Sequence, residues 1–305
     1  NFNAALKSYE LALAIALDKK NEAQQVVLYK KTGIQYYKIK QYGISENRYR
    51  KGLYIDSVSK PAADLYYNLS LIKRRLNQQD SSLLYLEKSL NLYKTLKQDK
   101  YTYNAFLSAG VIYKDRQLYN KALKYLIKAY HGFSNLEDEK KLAYVCTSIT
   151  NIQNHLKNYN QALNYHKQTF KLHNKLNDSS GLVRCYSNMA NVYDNMNLKD
   201  SAVANFQKAL LFIEKENNQH ATVLSNLAST YKNLGKFDLA KEYFIESIKI
   251  NKSLNDTLSI LYNYNGMASM FLKTNILPKA NFYLDSVQVL IKSISDKKAR
   301  LGYYN

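Results

Sequence analysis

The sequence predicts an all-α protein in which antiparallel helix pairs stack into a right-handed superhelical solenoid. Three observations carry this. Small residues recur at a nearly fixed interval: Ala5, Ser45, Ser82, Ala122, Ala162, Ala202, Ala240 and Ala280 lie 37, 38 or 40 residues apart. Only two prolines and nine glycines occur in 305 residues, so helices are favoured and flexible linkers are not. The stretch from Thr222 to Ile250 reads as two short amphipathic helices around a turn at Gly235. Ala228 and Ala240 stand where those helices cross, and Leu224, Leu227, Tyr231, Phe237 and Phe244 fill the space beside them.

In chain order, residues 1–25 form an isolated second helix. Seven full repeats follow, starting near 26, 63, 103, 143, 183, 221 and 261, and residues 301–305 begin another. No break in period marks a linker, so 1–305 reads as one solenoid. Both ends fall inside repeats, which implies a segment of a longer protein. Asn3, Asp80, Asn120, Asn160, Asp200 and Asp238 stand at the start of second helices and are expected to cap them, with Gly43 and Pro278 at the same place. Asp99, Asp138, Asp178, Asn218, Asp256 and Asp296 are expected to cap the first helices. Gly33, Ser70, Gly110, Thr150, Ala190, Ala228 and Ala268 let helix backbones approach. Tyr36, Tyr113, Tyr193, Tyr231 and Phe271 fill one recurring gap. Lys73 and Gln153 replace the aromatic there, so distortion is expected in the second and fourth repeats.

These residues resemble the tetratricopeptide repeat, whose pattern runs large residue, leucine, small residue, tyrosine, glycine turn, alanine, aromatic, small residue. Leu224, Leu227, Ala228, Tyr231, Ala240, Phe244 and Ser247 match it at repeat positions 4, 7, 8, 11, 20, 24 and 27, while Lys252 stands at the usual proline. The period exceeds the common 34 residues, and the extra residues fall after the second helix.

Composition narrows the work such an array can do. Apolar residues make up 46% and charged ones 22%, as in an ordinary folded protein. The charge is 44 basic minus 24 acidic, or +20, but the lysines are scattered along the chain, which favours a solvated surface over a nucleic-acid face. The 29 tyrosines are read as packing between repeats. No apolar run approaches the ~18 residues a membrane span needs. Cys146 and Cys185 fall on packing positions and are expected as buried free thiols. No HExxH, Walker loop, GxGxxG or GxSxG is present. The five histidines have no zinc spacing, and His166 sits at a core position. Catalytic residues, cofactors and metals are therefore not expected in this segment.

The resemblance implies that positions 2, 5, 9, 12 and 13 of each first helix line a concave binding surface, with position 6 beside them. Carried over, these give Asn68, Arg74, Arg75, Lys114, Asn151, Arg184, Asn188, Asn191, Asn226 and Lys232, with Lys30, Asp64, Asp115, Ser225 and Lys273 among their neighbours. An amide offers a donor and an acceptor side by side and can hold a peptide backbone without reading its sequence. Arg74, Arg75 and Lys114 suit carboxylates of an acidic partner. Similar paired asparagines occur in long-period repeats of kinesin light chain, spindle-orientation adaptors and bacterial pheromone receptors. The resemblance thus implies a non-catalytic segment that binds a peptide or protein, within a larger bacterial signalling protein whose kinase or DNA-binding chemistry lies beyond Asn305. Alternatives are a structural scaffold and a phosphatase-like regulator of the pheromone-receptor type.

Overall fold

The computed structural model describes residues 2–213 and 216–302; the side chains of residues 2, 3 and 295–302 lie outside the description. Fifteen α-helices and no strand occur among the described residues. They are α1 (Phe2–Asp18), α2 (Glu22–Lys38), α3 (Tyr42–Ile55), α4 (Lys60–Arg75), α5 (Gln79–Thr95), α6 (Asp99–Asp115), α7 (Tyr119–Asn135) and α8 (Glu139–His155). There follow α9 (Tyr159–Lys175), α10 (Ser179–Asn195), α11 (Lys199–Leu210), α12 (Asn218–Asn233), α13 (Phe237–Ser253), α14 (Thr257–Lys273) and α15 (Leu277–Gly302). The chain groups into two compact units, Asn1–Ile152 and Gln153–Asn305, with the boundary inside α8.

Most helices are 17 residues long and most links only three, so the extra length of the repeat lies in the second helix and not in a loop. The three-residue links share one geometry. After α5, Leu96 closes the helix, Lys97 turns to φ 51°, and the Gln98 N–H reaches back to the Tyr93 carbonyl. The same reach from a sixth residue to the first recurs at Gln78, Asn158, Leu198 and Asp256, so the last carbonyls of these helices are bonded before the chain reverses. Gly235 holds this left-handed place as expected, but eleven non-glycine residues, mostly Lys and Asn, hold it elsewhere. The turn is imposed by the packing of the helices it joins, since an L-residue disfavours it by roughly 1–2 kcal/mol.

The caps divide differently from the sequence reading. Asp138, Asp178 and Asp256 accept from the N–H groups of Lys141, Gly181 and Ser259, as true caps do. Asp99 and Asn218 are instead the first helical residues, and Asn217 caps α12 by accepting from Gln219 and His220. Asp80, Asn120, Asn160, Asp200 and Asp238 are each the second residue inside the helix, and the residues before them make no side-chain cap bond. The tight reversal draws these helix starts two residues further upstream; the three aspartates still favour the positive end of the helix dipole. Asn3 lies outside the described side chains.

Within the unit spanning 1–152, α2 packs on α3, α4 on α5 and α6 on α7. Its core gathers Leu13 and Ala16 with Leu28, then Val26, Tyr49, Leu65, Leu69 and Ile72. The crossing positions are as small as the packing demands: a Cβ on Gly33 would fall 2.3 Å from Tyr49, and one on Gly110 would fall 2.6 Å from Leu126. Where serine replaces the small apolar residue it is satisfied, Ser45 donating to the Gly33 carbonyl and Ser82 to the Ser70 carbonyl, both at 2.7 Å. In the unit spanning 153–305, Phe206, Phe244, Tyr231, Met267 and Phe271 form one core with Ala228 and Ala240. Tyrosine pairs such as Tyr113–Tyr125 and Tyr231–Tyr243 stack at 5.4 and 5.6 Å, so these rings are packing material.

Distortion was expected at Lys73 and Gln153 and is absent from their helices. Lys73 reaches Glu46 at 2.9 Å, and Gln153 accepts from Asn158 at 2.9 Å, so each polar side chain finds a partner in place of ring packing. The shortened helices are α3 and α11, of 14 and 12 residues. Both precede the repeats whose interval falls below 40, so the missing residues are taken from the second helix. The helix break expected at Asp296, with a new helix from 301, does not form: α15 runs through to Gly302. Continuing a helix adds one backbone bond per residue, and no packed helix pair holds a turn there. Residues 303–305 lie outside the description.

Candidate functional site

In the unit 1–152 the first helices α2, α4 and α6 and the start of α8 enclose a cleft of about 440 Å³. Asp64 lies at its base. One carboxylate oxygen accepts from Lys30 at 2.8 Å and Lys60 at 3.0 Å, and the other accepts from the Tyr93 hydroxyl at 2.8 Å. Burial alone would raise the Asp64 pKa, but the hydrogen bonds from Lys30, Lys60 and Tyr93 outweigh it and hold the carboxyl below its ordinary range. Tyr93 is pushed up by its burial first and by the Asp64 charge second. The Lys60 ammonium also sits 3.9 Å from the centre of the Tyr101 ring. The cleft is therefore both polar and aromatic, and Asn68, Asn104 and Lys141 also line it.

A second cleft of about 410 Å³ shares Tyr67 and Lys141 with the first and adds an apolar strip of Leu71, Leu107 and Val111. The Tyr67 hydroxyl, 2.8 Å from Ser108 Oγ, stands between the two. Arg74 lines this second cleft but is held by Asp115 through Nε at 3.1 Å and a terminal nitrogen at 2.9 Å. Lys114 lies 3.9 Å from the same aspartate. Arg75 donates to the Tyr37 hydroxyl at 3.2 Å.

The sequence selection is thus brought together only in part. Asn68 lines the first cleft and Arg74 the second, whereas Arg75 and Lys114 lie towards the ends of their helices. Half-buried Asn151 makes no side-chain hydrogen bond to a described residue. Tyr67, Leu71, Leu107, Val111 and Tyr144 were missed although they occupy the same repeat positions, because only polar residues were kept there. Tyr93 comes from a second helix and Lys141 from ahead of the repeat start, and no sequence signal marks either.

In the unit 153–305, Asn188 and Asn191 of α10 and Asn226 of α12 are half-buried, and none of their side chains bonds to a described residue. Arg184 is exposed and donates to Ser180 Oγ at 3.0 Å. Ser225, expected on the binding face, is instead 6% exposed and donates to Asn263 inside the protein. Asn263 in turn donates to Ser247 at 2.9 Å, and Ser247 to the Ala221 carbonyl at 2.8 Å. The residue at position 5 turns inward here because Asn263, wholly buried on α14, needs a donor. Lys232 is half-buried, and burial first, then the charge of Lys273, lower its pKa.

Cys146 and Cys185 are both buried, and burial pushes the Cys146 thiol up to about 12. His166 is buried at its core position. Among the described residues no three His, Cys, Asp or Glu side chains are gathered so as to hold a metal ion, and no helix is long and apolar enough to cross a membrane.

Stacked helix pairs whose first helices present a shared polar and aromatic face define a helical-repeat binding protein. The tetratricopeptide-repeat model matches residues 63–95, 183–215 and 221–254. Those helix pairs are tetratricopeptide repeats, and the chain is a tetratricopeptide-repeat protein. A search of curated proteins by sequence found no match. Solved structures share the fold. The apo form of RapI is 16% identical with a TM-score of 0.69, over 89% of this chain and 99% of that one. The apo quorum sensor NprR from B. thuringiensis is 14% identical with a TM-score of 0.60, over 95% and 98%. A signal-transduction ATPase with numerous domains and a tetratricopeptide repeat sensor, from Pyrococcus horikoshii, is 16% identical with a TM-score of 0.69, over 97% of this chain and 49% of that one.

Proposed function

We propose that this chain is a non-catalytic interaction segment that holds an extended peptide, or a peptide-like part of a protein, along its first helices. The observation that carries this is the cleft beneath α2, α4 and α6, where Asn68 offers an unengaged amide beside tyrosine walls and the Asp64 cluster. The free amides of Asn188, Asn191 and Asn226 offer the same chemistry on the unit 153–305. The setting is that of a sensory region in a larger bacterial signalling protein. Support comes from the fold it shares with a quorum sensor, with a tetratricopeptide repeat sensor and with a Rap protein complexed with competence and sporulation factor.

The test is selection of displayed random nonapeptides on the full chain, repeated on Asn68→Ala and on Asn191→Ala/Asn226→Ala. Selected peptides should bind the parent and weaken at least about tenfold on one variant, the loss of a hydrogen bond or two. Selection of no peptide, or binding indifferent to all three amides, would refute the reading. A phosphatase-like regulator is the second reading, favoured by the shared fold with aspartyl phosphate phosphatase F from Bacillus subtilis. It requires the chain to speed loss of phosphate from an aspartyl-phosphorylated receiver domain, and an unchanged half-life would dismiss it.

A further inference from the structure

Three pairs of successive first helices are joined by rungs at one register: the penultimate residue of one helix meets the last residue of the next. Tyr37 of α2 meets Arg75 of α4 at 3.2 Å, and Arg74 of α4 meets Asp115 of α6 at 2.9 Å. Asn154, penultimate in α8, accepts from Asn195, last in α10, at 3.1 Å. Each of these pairs is attractive. The pair Asp194–Asn233 forgoes its bond because Asp194 takes Lys199 at 3.0 Å and Thr230 at 3.2 Å instead. The last pair is of another kind. Lys232, penultimate in α12, opposes Lys273, last in α14, and α12 packs on α14.

Neither ammonium has an acidic group within ion-pair distance among the described residues. They are nevertheless close enough that the Lys273 charge is felt at Lys232. One turn back on the same faces, Ser229 and Ser269 are half-buried and make no side-chain hydrogen bond to a described residue. A lysine at a helix C-terminus is favoured by the dipole, which accounts for each residue separately but not for their opposition. The two helix ends contribute roughly half a negative charge each, so an anion between two ammoniums still meets a net attraction of about one elementary charge.

We propose that the Lys232–Lys273 rung is an anion subsite, filled by a carboxylate side chain of an extended peptide lying along the first helices of the unit 153–305. This rests on the peptide-binding reading above. A carboxylate has two oxygens and can accept from one ammonium with each, completing the rung as Asp115 completes that of Arg74.

The test has two arms on the full chain. In the first, the side-chain carbon signals of 13C-lysine are followed by NMR, with Lys232 assigned through Lys232→Arg. Acetate should raise the Lys232 pKa saturably, and Lys273→Met should abolish that response. Lys273→Asp should raise the pKa with no acetate present. In the second, pools of end-blocked random nonapeptides carrying one Glu or one Gln are compared. The Glu pool should bind about tenfold tighter, as one charge-assisted contact allows, and Lys232→Met or Lys273→Asp should erase the difference. A non-saturable acetate response, or a response to inorganic phosphate only, would overturn the carboxylate subsite. Equal binding of the two pools would overturn it too while leaving the peptide reading intact. Binding of neither pool would overturn both.

Discussion

Replacing His166 with phenylalanine tests whether a histidine can serve as a core residue. His166 holds the position that Phe206 and Phe244 hold in later repeats, and it is 5% exposed. Burial lowers its pKa from 6.5 to about 4. The folded state therefore keeps the ring neutral while the unfolded chain protonates it. Between pH 6.5 and 4 the unfolded state binds more protons, so stability falls as pH falls through this window and is fully present above it. The whole difference is worth about 3 kcal/mol, and about 2 kcal/mol of it separates pH 7.5 from pH 5. His166→Phe removes that dependence. His173, also lowered by burial, contributes with the same sign but is present in both proteins. The assay is amide exchange in α9, read at pH 7.5 and pH 5 after correction for the intrinsic rate, because stacked repeats open locally. The variant should lose about 2 kcal/mol less than the parent on acidification. Parallel losses would show that His166 is solvated or paired, and would refute the assignment.

Other outcomes follow from single contacts. Asp64→Asn should lower stability by about 2 kcal/mol, since it leaves Lys30 and Lys60 without their shared carboxylate; urea unfolding at pH 7 measures it. The parent's share of that stability is present above the ordinary carboxylate pKa and lost as pH falls through the lowered Asp64 value, so the two urea curves should converge in strong acid. Gly110→Val should destabilise by at least about 2 kcal/mol, because Leu126 already lies 2.6 Å from the nearest Cβ position; unchanged melting would show that α6 and α7 can separate. Asp178→Ala removes the cap on the Gly181 N–H and should cost about 1 kcal/mol, seen as faster exchange in the first turn of α10. Lys97→Gly relieves a left-handed L-residue and should raise the melting temperature or leave it unchanged; a fall would mean that the Lys97 side chain carries a contact.

The first-helix asparagines and the Asp64 cluster show how far a sequence reaches toward a site. Asn68 was selected by its repeat position and does line the cleft. Ser225 was selected by the same rule and is buried, because whether a borderline position turns in or out depends on the neighbouring helix, here on Asn263. Tyr93 could not be selected at all, since it reaches Asp64 from a second helix 29 residues away. Position in a repeat is local information, whereas the partner of a side chain is set by which helix is laid beside it.

The sequence by itself determined the repeat. The recurring Ala and Ser at the crossing place two helices at contact distance, and their interval sets the helix lengths, because steric size and periodicity act over a few turns of one chain. The tertiary structure alone decided the rest. Packing drove Lys97 and its counterparts into the left-handed turn against their preference, and it drew the second-helix starts past the residues expected to cap them. It joined Arg74 to Asp115 across 41 residues while leaving Lys232 opposite Lys273. Those outcomes depend on the summed burial of whole helix faces, which exceeds any single residue's preference and is not written in its immediate neighbours.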